Sequence, residues 1–140
     1  MEPIEDCLTF LLGKASQRAY QIAKAKLQPY GVTPVQHALL HLLWEKDGQH
    51  SSELGERLRL DSATMTGLLD RLAQSELIER RPSPTDRRMN HIFLTPRSQE
   101  LQAPLSICIE DTHKEALQDF TADEIAQLKG MLARFIGLHP

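Results

Sequence analysis

The sequence predicts a mainly α chain carrying one small β-hairpin, an α+β architecture, and three observations lead there. Apolar residues recur near every 3.6 positions along most of the 140 residues. Two stretches, Thr33-Pro34-Val35-Gln36 and Thr121-Ala122-Asp123-Glu124, have the form of N-terminal capping boxes. Only residues 78–81 and 90–94 read as strands, joined by Pro82-Ser83-Pro84-Thr85-Asp86-Arg87-Arg88. Two prolines and a polar tip make that connection a protruding hairpin loop.

The first helix is expected over residues 4–27, with Leu8, Leu11, Leu12, Ala15, Ala19, Ile22 and Leu27 on its stripe. Pro29-Tyr30-Gly31 breaks it. Thr33 then serves as N-cap, Pro34 as first helical residue and Gln36 as the reciprocal cap. That helix runs through Leu39, Leu40, Leu42, Leu43 and Trp44 to Asp47-Gly48, and two short helices follow over 51–59 and 62–75. After the hairpin, Thr95-Pro96 opens a helix that Pro104 is expected to kink or interrupt. The last helix carries Ile125, Leu128, Met131, Leu132, Phe135 and Ile136 on one stripe. The first and last stripes exceed what the small central unit can cover. A homodimer joined through both termini is therefore expected. The chain reads as one domain over 4–138, with a central core at about 33–95 and dimerisation helices at about 4–27 and 97–138.

At 41% apolar and 25% charged, the composition excludes a disordered chain. Its apolar runs fall far short of the ~20 residues that span a bilayer, so no membrane partner is expected. The acidic start Met1-Glu2-Pro3-Ile4-Glu5-Asp6 lacks the basic segment of a signal peptide. Two cysteines, Cys7 and Cys108, are too few for a disulfide framework or a thiolate zinc site. A cytoplasmic location with reduced thiols is the expectation. The net charge of −3 is segregated: residues 1–79 carry −3, residues 80–97 carry +4 and residues 98–140 carry −4. Eight of the ten arginines lie between Arg57 and Arg97, and no lysine falls from Asp47 to His113. Arginine's planar fork suits phosphates and guanine edges, so this bias points towards nucleic acid.

The segment 52–72 is the informative one. Leu54, Leu58, Leu60, Met65 and Leu68 fall where two helices crossing at a steep angle bury a shared face. Gly55 permits close approach, and Asp61 or Ser62 can cap the second helix, as a helix-turn-helix requires. On that second helix Met65, Leu68, Leu69 and Leu72 point inward. The opposite side holds Ala63, Gly67, Asp70, Arg71 and Gln74, flanked by Thr64 and Thr66. Small polar residues let a helix sink into a major groove of double-stranded DNA, where hydroxyls reach phosphates or base edges. The DNA-contact candidates are Ser62, Thr64, Thr66, Arg71 and Gln74, with Asp86, Arg87 and Arg88 on the hairpin. Arg71 can instead pair with Asp70 or Glu79. The hairpin arginines are placed to enter a neighbouring minor groove, with Asp86 holding one of them in its rotamer.

With these residues in place, the chain resembles the MarR family of winged helix-turn-helix repressors, from about residue 4 to residue 138. The resemblance is carried by Ser62-Ala63-Thr64-Met65-Thr66, Leu68-Leu69-Asp70-Arg71-Leu72, Leu77-Ile78-Glu79-Arg80, Asp86-Arg87-Arg88 and Leu94-Thr95. It implies a winged helix-turn-helix with terminal dimerisation helices, reading a pseudo-palindromic operator and usually repressing until a small ligand or oxidant releases it. Gly67 stands where many members carry arginine, and Ser75-Glu76 replaces the usual glycine after the recognition helix. Leu54-Gly55-Glu56-Arg57-Leu58 and Leu60-Asp61-Ser62 look most like the organic-hydroperoxide sensors. The position of their reactive cysteine is Thr9 here; Cys7 comes two residues earlier, about 200° around a helix. Pro34 and His37 occupy the places of the supporting tyrosines.

Three effector readings follow. A small ligand between the winged unit and the dimer helices has Arg18, Tyr20, His37 and His41 as candidate contacts. A thiol switch would use Cys7, or Cys108, which reads as a core residue between Ile107 and Ile109. His37 and His41 at i, i+4, with His113 beyond, have a chelating spacing, yet nothing beside them completes a set, and no metal site or cofactor is expected. Phosphate loops and nucleophile elbows are absent, which excludes the common enzyme classes. A winged module turned to protein interaction is the remaining alternative, and the arginine-rich hairpin argues against it.

Overall fold

The computed structural model describes residues 1–86 and 89–138. Seven helices and a three-stranded sheet make up the described residues. A short 3-10 turn over Ile4–Asp6 precedes α1 (Leu8–Leu27). Then come α2 (Pro34–Glu45), β1 (Gln49–His50), α3 (Ser51–Leu58) and α4 (Ser62–Gln74). The hairpin is β2 (Ile78–Pro82) and β3 (Asn90–Leu94), followed by α5 (Pro96–Glu100), α6 (Gln102–Ala116) and α7 (Ala122–Ile136).

Both expected capping boxes form. Gln36 N–H donates to Thr33 Oγ1 at 3.2 Å while Thr33 N–H donates to the Gln36 side chain at 3.0 Å. Thr121 and Glu124 exchange the same two bonds at α7. Each satisfies two N–H groups that a helix start leaves over.

The strand β1 had no sequence signal. It pairs antiparallel with β3, Gln49 opposite Ile92 and His50 opposite His91, so the sheet order is β1-β3-β2. Its place is fixed by side chains at the end of α2. Gln49 is buried and its Nε2 donates to the Leu42 and Lys46 carbonyls, closing the helix. Asp47 Oδ1 accepts from Leu94 N–H at 2.8 Å.

One expectation about helix limits is corrected, and the interruption expected from Pro104 is located. The first helix begins at Leu8, and Cys7 is its extended N-cap (φ −76°, ψ 117°), so Cys7 does not lie on a helical face. The helix opened by Thr95 is interrupted at Leu101, upstream of Pro104. A proline ring clashes with the carbonyl four residues before it, here that of Glu100. The helix therefore ends at Glu100, and Pro104 falls in the first turn of α6, where its missing N–H leaves no bond unmade.

One core joins Leu27 of α1, Leu39, Leu40 and Leu43 of α2, Leu54 of α3, Leu68 and Leu72 of α4, Leu77, Ile92 of β3 and Leu105 of α6. The two ends of the chain stand outside it. None of the α7 residues is buried, and Leu8, Leu11, Met131, Leu132, Phe135 and Ile136 are all exposed, Phe135 by 61%. Among the described residues no helix is long and apolar enough to cross a membrane.

Candidate nucleic-acid interface

The crossing of α3 and α4 is set by Gly55. It is buried, and a Cβ built there would stand 3.0 Å from Met65 Cγ and 3.6 Å from the Leu60 carbonyl. The turn between them closes with Arg59 N–H on the Glu56 carbonyl and Leu60 N–H on that of Gly55, which puts Arg59 in the left-handed region (φ 56°). Of the two candidate caps, Asp61 is the one used: its Oδ1 accepts from Thr64 N–H at 2.7 Å. That bond holds the Asp61 carboxyl below the usual carboxylate range.

With its start fixed, α4 divides as its periodicity requires. Met65, Leu68, Leu69 and Leu72 are buried, while Ser62, Thr64, Thr66, Arg71 and Gln74 are exposed on the other side. The Thr66 hydroxyl donates back to the Ser62 carbonyl at 2.9 Å. Gly67 is half-buried by Arg71 itself, whose Nη1 lies 3.4 Å from where a Cβ would stand. Both acids that the sequence offered to Arg71 are engaged elsewhere. Asp70 pairs with Arg80 at 2.7 Å, and Glu79 pairs with Arg81 at 2.9 Å. Among the described residues Arg71 therefore makes no ion pair, and its guanidinium rests over the small face of α4.

The end of α4 is managed without glycine. Glu76 takes the left-handed conformation (φ 59°), with its N–H on the Ala73 carbonyl and Leu77 N–H on that of Leu72. The neighbouring carbonyls are also met: Thr95 Oγ1 donates to Glu76 at 2.7 Å, and Arg97 Nη1 to Ser75 at 2.9 Å. These bonds tie the last turn of α4 to the start of α5.

The hairpin is anchored to α4 by the Asp70–Arg80 pair, which sequence reasoning missed. No local spacing announces it, because it joins a helix to a strand. Arg81 lies over the Phe93 ring, 4.2 Å from its centre. Between α3, α4 and the hairpin runs a cleft of about 390 Å³, lined by Ser52, Gly55, Met65, Thr66, Arg80 and Asn90. Further out, Ser83 is buried and its N–H reaches the Met89 carbonyl, while Met89 N–H reaches that of Asp86. The candidates Arg87 and Arg88 lie outside the described residues.

The effector candidates divide into two groups. His37, His41 and Trp44 meet on α2, with ring centres 5.9 and 5.8 Å from that of His37. Burial, then the nearby His41 and His113, push the His37 pKa down to about 4, so it is neutral near pH 7. His41 instead faces Glu45 at 3.3 Å. Arg18 and Tyr20 are exposed on α1. No group of three or more His, Cys, Asp or Glu able to hold a metal occurs among the described residues. Cys7 is exposed, whereas Cys108 is buried, its thiol donating to the Lys26 carbonyl at 3.3 Å. Burial pushes the Cys108 pKa up, which disfavours a reactive thiolate.

Comparison with known proteins agrees with this geometry. Residues 32–89 match the model of the MarR family. The chain is 30% identical over 123 residues to the uncharacterized HTH-type transcriptional regulator YsmB of Bacillus subtilis, covering 88% of this chain and 82% of that one. It is 27% identical over 135 residues to the homoprotocatechuate degradative operon repressor of Escherichia coli, covering 96% and 91%. A crystal structure of a mutant MarR from E. coli complexed with operator DNA superposes with a TM-score of 0.82 at 28% identity, covering 91% and 92%.

Proposed function

The chain belongs to the MarR family of DNA-binding transcriptional regulators, and from that premise we propose that it is a repressor released from its operator by a small ligand. The observation that carries the reading is the exposed side of α4. Ser62, Thr64, Thr66, Arg71 and Gln74 stand clear of the core, with Arg71 unclaimed by either neighbouring acid, and the sequence puts Arg87 and Arg88 between the two strands of the adjoining hairpin. Such a face fits a major groove, and arginines on a hairpin fit the minor groove next to it. Asp86 would orient those arginines.

The protein acts as a homodimer in this reading, its α1 and α7 stripes covering one another across a twofold axis and matching a pseudo-palindromic operator. Exposure of Leu8, Leu11, Met131, Leu132, Phe135 and Ile136 in the single chain supports this. In this reading the ligand sits near His41 and the neutral His37 on α2, with Arg18 and Tyr20 contributed from α1. A relative named as a degradative operon repressor supports the repressor role. A cytoplasmic location accompanies the role.

Fluorescence anisotropy over a salt series tests it, using duplex DNA from upstream of the protein's own gene beside a scrambled duplex. Tight, sequence-dependent binding with a steep salt slope is expected. No binding to either duplex at low salt would move the winged unit to protein interaction.

A further inference from the structure

The last helix, α7, buries none of its residues in its own chain, yet its C-terminal end is held at one point. Arg59, in the turn between α3 and α4, donates from Nη1 to the Ile136 carbonyl at 2.9 Å and from Nη2 to the Gly137 carbonyl at 3.1 Å. Both acceptors are oxygens that the helix end leaves over. Its backbone closure uses only the Ala133 and Arg134 carbonyls, which accept from Leu138 and Gly137. A guanidinium there also meets the negative end of the helix dipole, and its planar fork spans two adjacent oxygens as an ammonium does not.

The backbone of Arg59 makes the contact more informative. It sits at φ 56°, a conformation glycine adopts freely and arginine does not. Glycine occupies the equivalent place at the end of α7, at Gly137 (φ 78°). At the turn of the reading unit the chain carries instead a residue that strains the backbone and supplies a two-pronged donor. A strained residue making a specific side-chain contact is a reason to look for a function in that contact.

We propose that Arg59 is a positioning residue that sets operator half-site spacing, by fixing the α3–α4 unit against the C-terminal end of the dimerisation helix of its own chain. In a symmetric dimer each reading helix is placed relative to the twofold axis by whatever joins it to the dimerisation helices. The separation of two recognition helices must match a helical repeat of DNA. Core contacts join α3 and α4 to α2 and the sheet; the Arg59 fork joins them to α7. The inference rests on the operator-binding reading.

The test uses Arg59→Gly, which removes the fork while relieving the backbone strain, and Arg59→Lys, which keeps the charge but not the fork. An operator is selected from random duplexes with the wild-type dimer, and versions with the half-site spacing changed by one base pair either way are prepared. Wild type is expected to discriminate at least tenfold between spacings. Arg59→Gly should fold and dimerise with an unchanged or higher Tm, lose most of that discrimination and keep the same salt slope; Arg59→Lys should fall between. Spin labels at Ser52→Cys in a Cys7→Ser background should give a broader distance distribution across the dimer in Arg59→Gly, without DNA. Unchanged discrimination with an unchanged distribution overturns the proposal. So does a uniform loss on all spacings with the salt slope reduced by about one, the sign of a phosphate contact. Failure of wild type to select any sequence would instead overturn the operator reading, and the label distances remain readable in that case.

Discussion

Replacing Gly67 by alanine should stabilise the protein and weaken its hold on DNA, and the two effects separate the roles of this position. A glycine inside a helix costs ~0.5–1 kcal/mol relative to alanine, because its unfolded backbone has more freedom to lose. The new methyl at Gly67 would meet only Arg71, at 3.4 Å from Nη1 and 3.7 Å from Nη2. Those atoms are the free end of a flexible side chain and can move by a few tenths of an ångström, so the helix gain survives. With a urea slope of ~2 kcal/mol per molar, the midpoint should rise by ~0.3–0.5 M at fixed protomer concentration. On DNA the change acts the other way. The methyl fills the shallow notch where the guanidinium rests and holds α4 further from the groove, which should cost about 1–3 kcal/mol of operator binding. Urea unfolding and anisotropy titration on the same preparations measure both. A less stable Gly67→Ala protein refutes the reading of the notch as open. A more stable one with unchanged affinity refutes its placement against DNA.

Arg87→Ala combined with Arg88→Ala should leave the dimer folded and lower operator affinity by ~1–3 kcal/mol for each arginine that reads a base; sedimentation and anisotropy check this, and unchanged affinity refutes the wing assignment. Glu76→Gly should stabilise by up to ~1 kcal/mol, since it removes a left-handed glutamate while keeping the same two backbone bonds, and a lower urea midpoint would contradict it. His37 gives a pH dependence whose sign follows from its folded pKa of about 4, below an unfolded value near 6.5. Between those values the unfolded chain binds more protons, so the contribution is complete above pH ~6.5 and is lost as pH falls towards 4. For a half-buried ring this amounts to on the order of 1–2 kcal/mol. His37→Gln should flatten stability between pH 7 and pH 5, and an unaltered slope would remove His37 as its source.

The parts of the fold legible in the sequence are those whose cause is local. Thr33 and Thr121 announce their helices because a cap and its reciprocal partner lie within one turn, and the inward stripe of α4 follows from spacing alone. Where the cause is distant, the residues are silent. Gln49 and His50 form a strand only because β3 lies beside them, and a two-residue strand has no periodicity to read. Proximity in sequence offers Arg71 two partners, Asp70 and Glu79, and takes neither geometry into account. In the folded chain Glu79 and Arg81 share one face of β2, and Arg80 reaches across to Asp70. Pro104 does enforce a break, but upstream of itself, because the constraint acts on the residue four positions earlier. Cys7 falls within the stretch whose spacing predicts a helix, yet its backbone is extended and gives it no helical face.

The ends of α3, α4 and α7 close by the same pair of backbone bonds, yet only α7 uses glycine. Arg59 and Glu76 carry the strained conformation in the two turns that flank α4, and each turn is also a point of attachment. Arg59 holds α7 through its side chain, and Glu76 holds the start of α5 through its carbonyl and Thr95. The inner face of α4, with Leu68 and Leu72 in the shared core, fixes its depth. These two attachments add restraints on either side of it. A ligand lodged on α2 touches neither directly, and it shifts α4 only by as much as its affinity differs between two arrangements of the unit. Such a ligand therefore has to be read at α5 or α7 as well as at α4. Protection of the Leu138 and Leu77 amides from hydrogen exchange, which report the closures at Gly137 and Glu76, should change together with operator release. If release proceeds with both amides as protected as before, the attachments are passive and the switch lies elsewhere in the winged unit.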